Sequence, residues 1–302
     1  MIVPAKRITI IGMGLIGGSL GLALRAAQGA NIRITGVDVS EDSLNTARLL
    51  GAADDITTDS KAAVKDADIV FLCTPVLQAA ALAKEIAPYL KQGAIVTDTC
   101  STKSYLMQQI AFLLPAGIHY IPGHPMAGRE KSGIEAADAA LFDNKWYILT
   151  PKQTADKRAV DLVRQVINLT GARITIMEAG QHDVCTALIS HVPHIGAAAL
   201  VNLLAYSEDQ DSSIKLAGGG FRDTTRIASS NADMWADICM TNAAPIVDSL
   251  DKFNQLITQI TQAIREGDRA RVHNFFTTAK KRRDGLLQLE LSASEQPLSN
   301  GH

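Results

Sequence analysis

What the 302-residue sequence lacks narrows it before any motif is read. Its formal net charge is only −2 at pH 7, so the charge balance gives no reason to expect nucleic acid. Its four cysteines, Cys73, Cys100, Cys185 and Cys239, show no CxxC spacing, which leaves reduced thiols in a cytoplasmic protein as the simple reading. The opening MIVPAKR has no signal-peptide anatomy. No stretch is clean enough to read as a membrane span. The nearest, 187–206, carries His191, Pro193, His194 and Asn202 and suits a buried helix better. There is no internal repeat and no low-complexity tract. Against these absences stand a hydrophobic content of 47%, enough for sizeable cores, and a length that suggests two domains.

The stretch RITIIGMGLIGGSLGLALR organises the rest. The β-branched run Arg7 to Ile11 predicts a buried strand, Gly12-Met13-Gly14-Leu15-Ile16-Gly17 follows at once, and an apolar helix pattern runs from Ser19 to about Ala27. A second strand, Ile32 to Val37, ends on Asp38. Gly12 allows the tight turn, Gly14 lets the backbone approach a pyrophosphate, and Gly17 lets the helix pack on the strand, with phosphate charge meeting the helix N-terminus. Leu15 and Ile16 complete this dinucleotide-binding loop. Asp38 stands where a carboxylate holds both ribose hydroxyls. It favours NAD over NADP, because it repels a 2′-phosphate and no arginine follows it directly.

Further strands at 69–73, 94–97, 119–121, 146–150 and 173–177 alternate with helices. Ser40 caps one helix, Asp59 or Ser60 starts another, and 77–90 and 154–169 form two more. Such alternation makes an α/β fold, a parallel sheet covered on both faces, with ligands beyond the carboxyl ends of its strands. Asp38, Thr74 and Ser101 fall at such ends. After Met177 the alternation stops. Gln181 to Tyr206 reads as one apolar helix kinked near Pro193, Gly218-Gly219-Gly220-Phe221 as a flexible break, and Asn231 as the cap of a short helix holding Trp235 and Met240. Ile246, Leu250, Phe253, Ile257, Ile260 and Ile264 are spaced by four and three, a helix–helix seam. A last helix covers 268–289. The expected domains are 1–177 and 178–290, with a disordered tail at 291–302. A helix as apolar all round as 187–204 must be buried on all sides, which predicts a subunit interface, the alternative being a central helix within a monomer.

Few residues have the chemistry for a site. His124, in GHPMAGREKSG after a strand, is the best candidate base, because an imidazole takes a proton near neutral pH; it is equally placed to satisfy loop hydrogen bonds. Ser101 could orient His124 or a substrate hydroxyl, although a cap on the following helix is the simpler reading. His182, His191 and His194 cluster, the last two sharing a helix face. No third ligand has metal spacing, so no metal is expected. In GGGFRDTTR, Arg226 could clamp a carboxylate while pairing with Asp223, or the segment is a solvated charged turn.

Taken together, GMGLIGGSL, DTCSTKS, GHPMAGREKSG, HDVCTALISHVPH and GGGFRDTTRIASS resemble the prephenate/arogenate dehydrogenase family of tyrosine biosynthesis, over Arg7 to about Leu289. The resemblance implies a modified Rossmann domain followed by an all-α dimerisation domain, with the active site in the cleft between them. It implies oxidative decarboxylation of prephenate to 4-hydroxyphenylpyruvate with NAD, or of arogenate to tyrosine, in a cytoplasmic homodimer. By the same resemblance His124 is the catalytic histidine and Ser101 the serine that orients it. Arg226 holds the ring carboxylate, His182, His191 and His194 line the substrate pocket, and Glu130 gates access. No chorismate mutase-like segment precedes the first strand and the tail is short, so a monofunctional enzyme is expected, with any tyrosine feedback acting at the active site. A β-hydroxyacid dehydrogenase is the enzymatic rival, but it needs a lysine on the helix 181–206, which has none. A non-catalytic NAD sensor is the other rival; the presence of His124 and Arg226 counts against it.

Overall fold

The computed structural model describes residues 5–27, 31–129 and 131–295; Glu130 and the end of the expected tail, 296–302, lie outside them. Six strands, β1 (Arg7–Ile11), β2 (Arg33–Val37), β3 (Asp55–Thr57), β4 (Ile69–Leu72), β5 (Ile95–Asp98) and β6 (His119–Ile121), pair in parallel in the order β3-β2-β1-β4-β5-β6. The doubly wound parallel sheet is the one expected from the alternation, but β3, a three-residue strand too short to show a period, is not among the expected strands. The strands are near-continuous apolar runs because both faces are covered. Ile8, Ile34 and Phe71 belong to one core, and Val70, Leu72 and Val96 to the other. The connecting helices are α1 (Leu15–Ala26), α2 (Glu41–Leu49), α3 (Ser60–Ala63), α4 (Val76–Ile86) and α5 (Ser104–Ile110). The first begins four residues earlier than its apolar pattern, inside the glycine motif. The expected caps form: Ser43 N–H donates to Ser40 Oγ at 3.2 Å and Ala62 N–H to Asp59 Oδ1 at 3.0 Å.

The sheet does not continue past β6. Pro122 has no N–H to extend the ladder. The chain turns into β7 (Gly123–Pro125), which pairs antiparallel with β8 (Trp146–Leu149), itself parallel to β9 (Arg173–Ile176). The strands expected at 146–150 and 173–177 thus belong to a second, three-stranded sheet. His124 lies on a buried strand and not on an open loop. Val163, Val166 and Ile167 of α6 (Lys157–Asn168) share one core with Tyr147, Leu149 and Ile8.

By compactness the chain falls into Met1–Ile246 and Val247–His302, whereas its texture changes at 177. In the first unit, α7 (Ala179–Thr186), a π turn (Ala187–His191) and α8 (Val192–Leu203) make one helical run to Tyr206. The kink expected near Pro193 is this π turn. Pro193 crowds the carbonyl one turn back and offers it no N–H, and the wider turn relieves the clash. The run is long and apolar enough to cross a membrane by length and composition. Only 28% of its most apolar window is buried, so the burial on all sides expected of it is not met inside one chain. Leu188, Ile189, Leu203 and Tyr206 are exposed. Then come α9 (Gln210–Lys215), α10 (Gly219–Thr225) and α11 (Ala232–Thr241). α10 starts within the three glycines expected to form a loop. Asn231 caps α11 through Met234 N–H at 2.9 Å.

The second unit consists of the remainder of α12 (Ala243–Arg265) and α13 (Arg269–Glu295), with Gly267 at φ 65° between them. The last helix runs to Glu295, past the expected end at 289. Phe253, Ile257 and Ile264 of the predicted seam are exposed.

Candidate active site

The glycine motif forms an open cradle. Gly12 has φ +97°, and a Cβ there would stand 2.7 Å from the Cys73 carbonyl oxygen. A Cβ on Gly17 would meet the Gly12 carbonyl oxygen at 2.0 Å, so α1 packs on β1 only through glycine. A Cβ on Gly14 would have nothing within 4 Å, which leaves room for a ligand at the backbone. Leu15 and Ile16 open α1, no side chain caps this helix end, and its first turn holds no acid. Its N–H groups and dipole are therefore disposed toward an anion. Asp38 braces the cradle, accepting from Met13 N–H at 2.8 Å and Ser40 N–H at 3.0 Å. Each carboxylate oxygen keeps a second lone pair for a hydroxyl donor. Thr74 Oγ1, just beyond β4, is buried without a hydrogen-bond partner. A dinucleotide fits this donor set and this open backbone.

The end of β5 is built around a buried ion pair. Lys103 and Asp98 are both fully buried; the ammonium contacts Asp98 and donates to the Gly123 carbonyl at 2.6 Å. Asp98 also accepts from Tyr120 Oη at 2.7 Å and from Cys100 N–H at 2.9 Å. This cluster fastens β7 to the end of β5 and so sets the place of His124. Burial, with Asp98 adding to it, raises the Tyr120 hydroxyl well above its ordinary pKa, and burial pushes the Cys73 thiol up to about 12.

His124 is buried, and its Nδ1 lies 2.8 Å from His182 Nε2. The other ring nitrogen of His182, Nδ1, lies 2.8 Å from Asp183 Oδ1. Asp183 in turn accepts from the N–H groups of Lys103 and Ser104, each at 2.8 Å, at the N-terminus of α5. Burial drives His124 well below the ordinary imidazole pKa, and His182, Lys103 and His191 push the same way. Burial also lowers His182, against the opposing pull of Asp183. Burial resists ionisation of Asp183, but hydrogen bonds from His182, Ser104 and Lys103 outweigh it and hold the carboxyl below its usual range. Both imidazoles are thus neutral at neutral pH. His182, expected to line the substrate pocket, has both nitrogens engaged and stands behind His124.

His191 and His194 form a second group. Asn242 Nδ2 donates to the Asp183 carbonyl at 2.9 Å and meets His191 Nδ1 at 3.1 Å. Because a carbonyl only accepts, the same amide nitrogen donates to His191 and leaves the His191 proton on Nε2. Burial, with His182 and His194 adding to it and Asp183 opposing, pushes His191 down to about 4. His194 donates from Nδ1 to the Ser190 carbonyl at 2.9 Å and stacks on Trp235 at 3.9 Å between ring centroids. Beside it is a cavity of about 270 Å³, lined by Ile195, Ile227, Ala228 and Cys239. Trp235 Nε1 is buried without a partner.

Ser101 does not reach His124 by any hydrogen bond among the described residues; His182 occupies that place. Ser101 does not cap α5 either, since Asp183 does so from α7. Arg226 is exposed where α10 passes into a short 3₁₀ turn, Arg226–Ser229. Glu130 lies outside the described residues. Among the described residues no cluster of His, Cys, Asp and Glu could hold a metal ion. Sequence reasoning missed Asp183, Lys103 and Asn242. A carboxylate on an apolar helix next to a histidine was a usable signal for Asp183; Lys103 and Asn242 gave none.

Residues 20–176 match the family described as prephenate dehydrogenase, nucleotide-binding domain, and residues 178–278 the one described as prephenate dehydrogenase, dimerization domain. The chain is 40% identical over 281 residues to a prephenate dehydrogenase of Bacillus subtilis, covering 92% of this chain and 76% of that one. It is similar in structure, with a TM-score of 0.85 and 34% identity over 92% of this chain and 98% of the other, to prephenate dehydrogenase from A. aeolicus in complex with hydroxyphenyl propionate and NAD+. It is also similar to Synechocystis arogenate dehydrogenase, with a TM-score of 0.79 and 29% identity over 93% and 100% of the two chains.

Proposed function

The chain belongs to the prephenate dehydrogenase family, and from that premise we propose that it catalyses the NAD-dependent oxidative decarboxylation of prephenate to 4-hydroxyphenylpyruvate. The observation that carries this reading is His124: a buried, neutral imidazole just beyond the carboxyl end of β6, in a fold whose glycine cradle opens at the same end of the sheet. NAD, when bound, supplies a hydride acceptor. Gly12, Gly14, Leu15, Ile16 and Gly17 hold its pyrophosphate, Asp38 its ribose hydroxyls, and Thr74 the adjoining part.

His124 takes the proton of the ring hydroxyl as a hydride leaves the carbon that bears it. The ring carboxylate then departs as CO₂, the electron pair of the broken C–C bond enters the ring, and aromatisation drives the step. His124 returns its proton to the phenolate oxygen. Arg226 holds a substrate carboxylate for orientation. His194, an acceptor at Nε2, lines the pocket beside Trp235, and with His191, a donor at Nε2 packed edge-on to the same Trp235, reads the side-chain end of the substrate. Ser101, at the end of β5, contacts the substrate hydroxyl, and Glu130 gates entry.

Two copies associate through the helical part, 178–290. The exposed apolar face of α7 and α8 and the exposed seam of α12 supply the surface. The reaction, a step of tyrosine biosynthesis, takes place in the cytoplasm.

A second reading, arogenate as substrate with tyrosine as product, is favoured by the similarity to an arogenate dehydrogenase. Initial rates of NADH or NADPH formation with prephenate and arogenate, each paired with each cofactor, decide between them. Turnover of prephenate with NAD and little with NADP supports the first reading and the role of Asp38. Dominant arogenate turnover supports the second, and no reduction in any mixture refutes both.

A further inference from the structure

We propose that Asp183 is a positioning residue for proton transfer: through His182 it fixes which nitrogen of His124 is free to act as the base. The inference rests on the dehydrogenase reading for its chemistry and on hydrogen-bond geometry for its logic. A carboxylate only accepts, so the 2.8 Å contact between Asp183 Oδ1 and His182 Nδ1 puts the His182 proton on Nδ1. In a neutral ring that leaves His182 Nε2 an acceptor. The 2.8 Å contact to His124 Nδ1 must then carry a proton from His124. His124 Nε2 is left unprotonated. A solvated imidazole has no such constraint, so the direction of the whole chain is set at the carboxylate.

Asp183 suits this role because its own position is fixed twice over. The N–H groups of Lys103 and Ser104 anchor its carboxylate to the N-terminus of α5, and Asn242 holds its main-chain carbonyl. The helix α7 is thereby tied to the same segment, 98–104, that fastens β7 through Lys103. When His124 accepts the substrate proton, positive charge develops on the histidine pair. The groups facing that pair are the Lys103 ammonium, which opposes the charge, Asp98, which offsets Lys103, Asp183, which favours it directly, and His191, which is lowered to about 4 and so is uncharged at neutral pH. The carboxylate therefore also supports the imidazolium at the moment it forms, as the aspartate of a serine protease triad does.

The test is long-range ¹H–¹⁵N NMR of the imidazoles in ¹⁵N-histidine-labelled full-length protein, beside steady-state kinetics with prephenate and NAD, for wild type, Asp183→Asn and His182→Asn. In wild type both His124 and His182 are expected to carry their proton on Nδ1. Asp183→Asn should release His182 to the Nε2-protonated form and lower kcat by at least about a hundredfold. It should leave the KM for NAD unchanged and move the acid limb of the pH profile to lower pH. His182→Asn keeps the Asp183 cap on α5 and should lose a similar factor, and the double variant should lose no more than either single one. A residue that merely caps α5 would lower Tm on substitution but leave kcat and the tautomers alone. That outcome, or a His182 protonated at Nε2 in wild type, overturns the proposal. A wild-type protein with the expected tautomers that reduces no NAD would instead overturn the dehydrogenase reading.

Discussion

The parallel sheet and the helices after Met177 build their parts of the site in opposite ways. In the sheet half the groups disposed toward a cofactor are mostly main-chain, a glycine turn and an uncapped helix N-terminus, with one side chain, the Asp38 carboxylate at a strand end, all within residues 12–38. In the helical half the site groups are side chains that meet only in three dimensions: His182 with His124, Asp183 with Lys103, and Asn242 with His191. The difference follows from the ligands each must meet. A pyrophosphate is bound by repeated N–H dipoles, which any backbone supplies once glycine lets it approach. A proton transfer needs one nitrogen in one protonation state, which only a packed constellation of side chains can impose.

If that contrast is right, substitutions in the two halves should fail differently. His124→Asn should cost the most, about 10²–10⁴-fold in kcat, the usual worth of a general base. NAD binding, measured by fluorescence titration, should persist; a near-normal kcat would remove His124 from the chemistry. Next comes the junction between the halves. Asp98→Asn strands the buried Lys103 ammonium, and breaking such a pair costs about 3–5 kcal/mol of stability, visible as a large drop in Tm. Gly17→Ala forces a Cβ against the Gly12 carbonyl, a strain of about 1–3 kcal/mol. It should raise the KM for NAD with little change in the KM for prephenate, and the reverse pattern would dissolve the contrast. Arg226→Ala should do the opposite, raising the prephenate KM about tenfold, near the worth of one charge-assisted hydrogen bond. The last effect is on stability alone and appears only in acid. His191 falls from 6.5 to about 4 in the folded chain, so as pH drops through that window the unfolded chain takes up protons the native one refuses, and Tm should decline. His191→Gln should flatten that part of the curve.

The same contrast explains what the sequence could disclose. The cradle was legible residue by residue, because its constraints are local: a strand, GxGxxG, a helix and an acid at the next strand end. The parallel sheet was legible from alternation, and the caps Ser40, Asp59 and Asn231 from residue type and position. The strand carrying His124 was not, because three residues hold no period, and its partner β8 lies some twenty residues on, across a connection with no hairpin signal. Ser101 drew attention as the hydroxyl at a strand end, yet the neighbour of His124 is His182, brought in by α7. Nothing in one sequence announces that a residue 58 positions away will supply that bond. The apolar run at 181–206 is legible as a helix that must be covered all round, and its exposure in one chain leaves a second copy, not a central place in a monomer, to cover it. Periodicity reports which residues avoid water, not whether the neighbour that covers them belongs to the same chain.

The most direct test of the account is the pH dependence of kcat/KM for prephenate in wild type beside His124→Asn. A buried imidazole lowered below 6.5 stays in its basic form as pH falls through neutrality, so the acid limb of the wild type should lie below pH 6.5 and vanish, with most of the rate, in the variant. A variant that keeps both the rate and the limb would contradict the claim that His124 is the base around which this site is built.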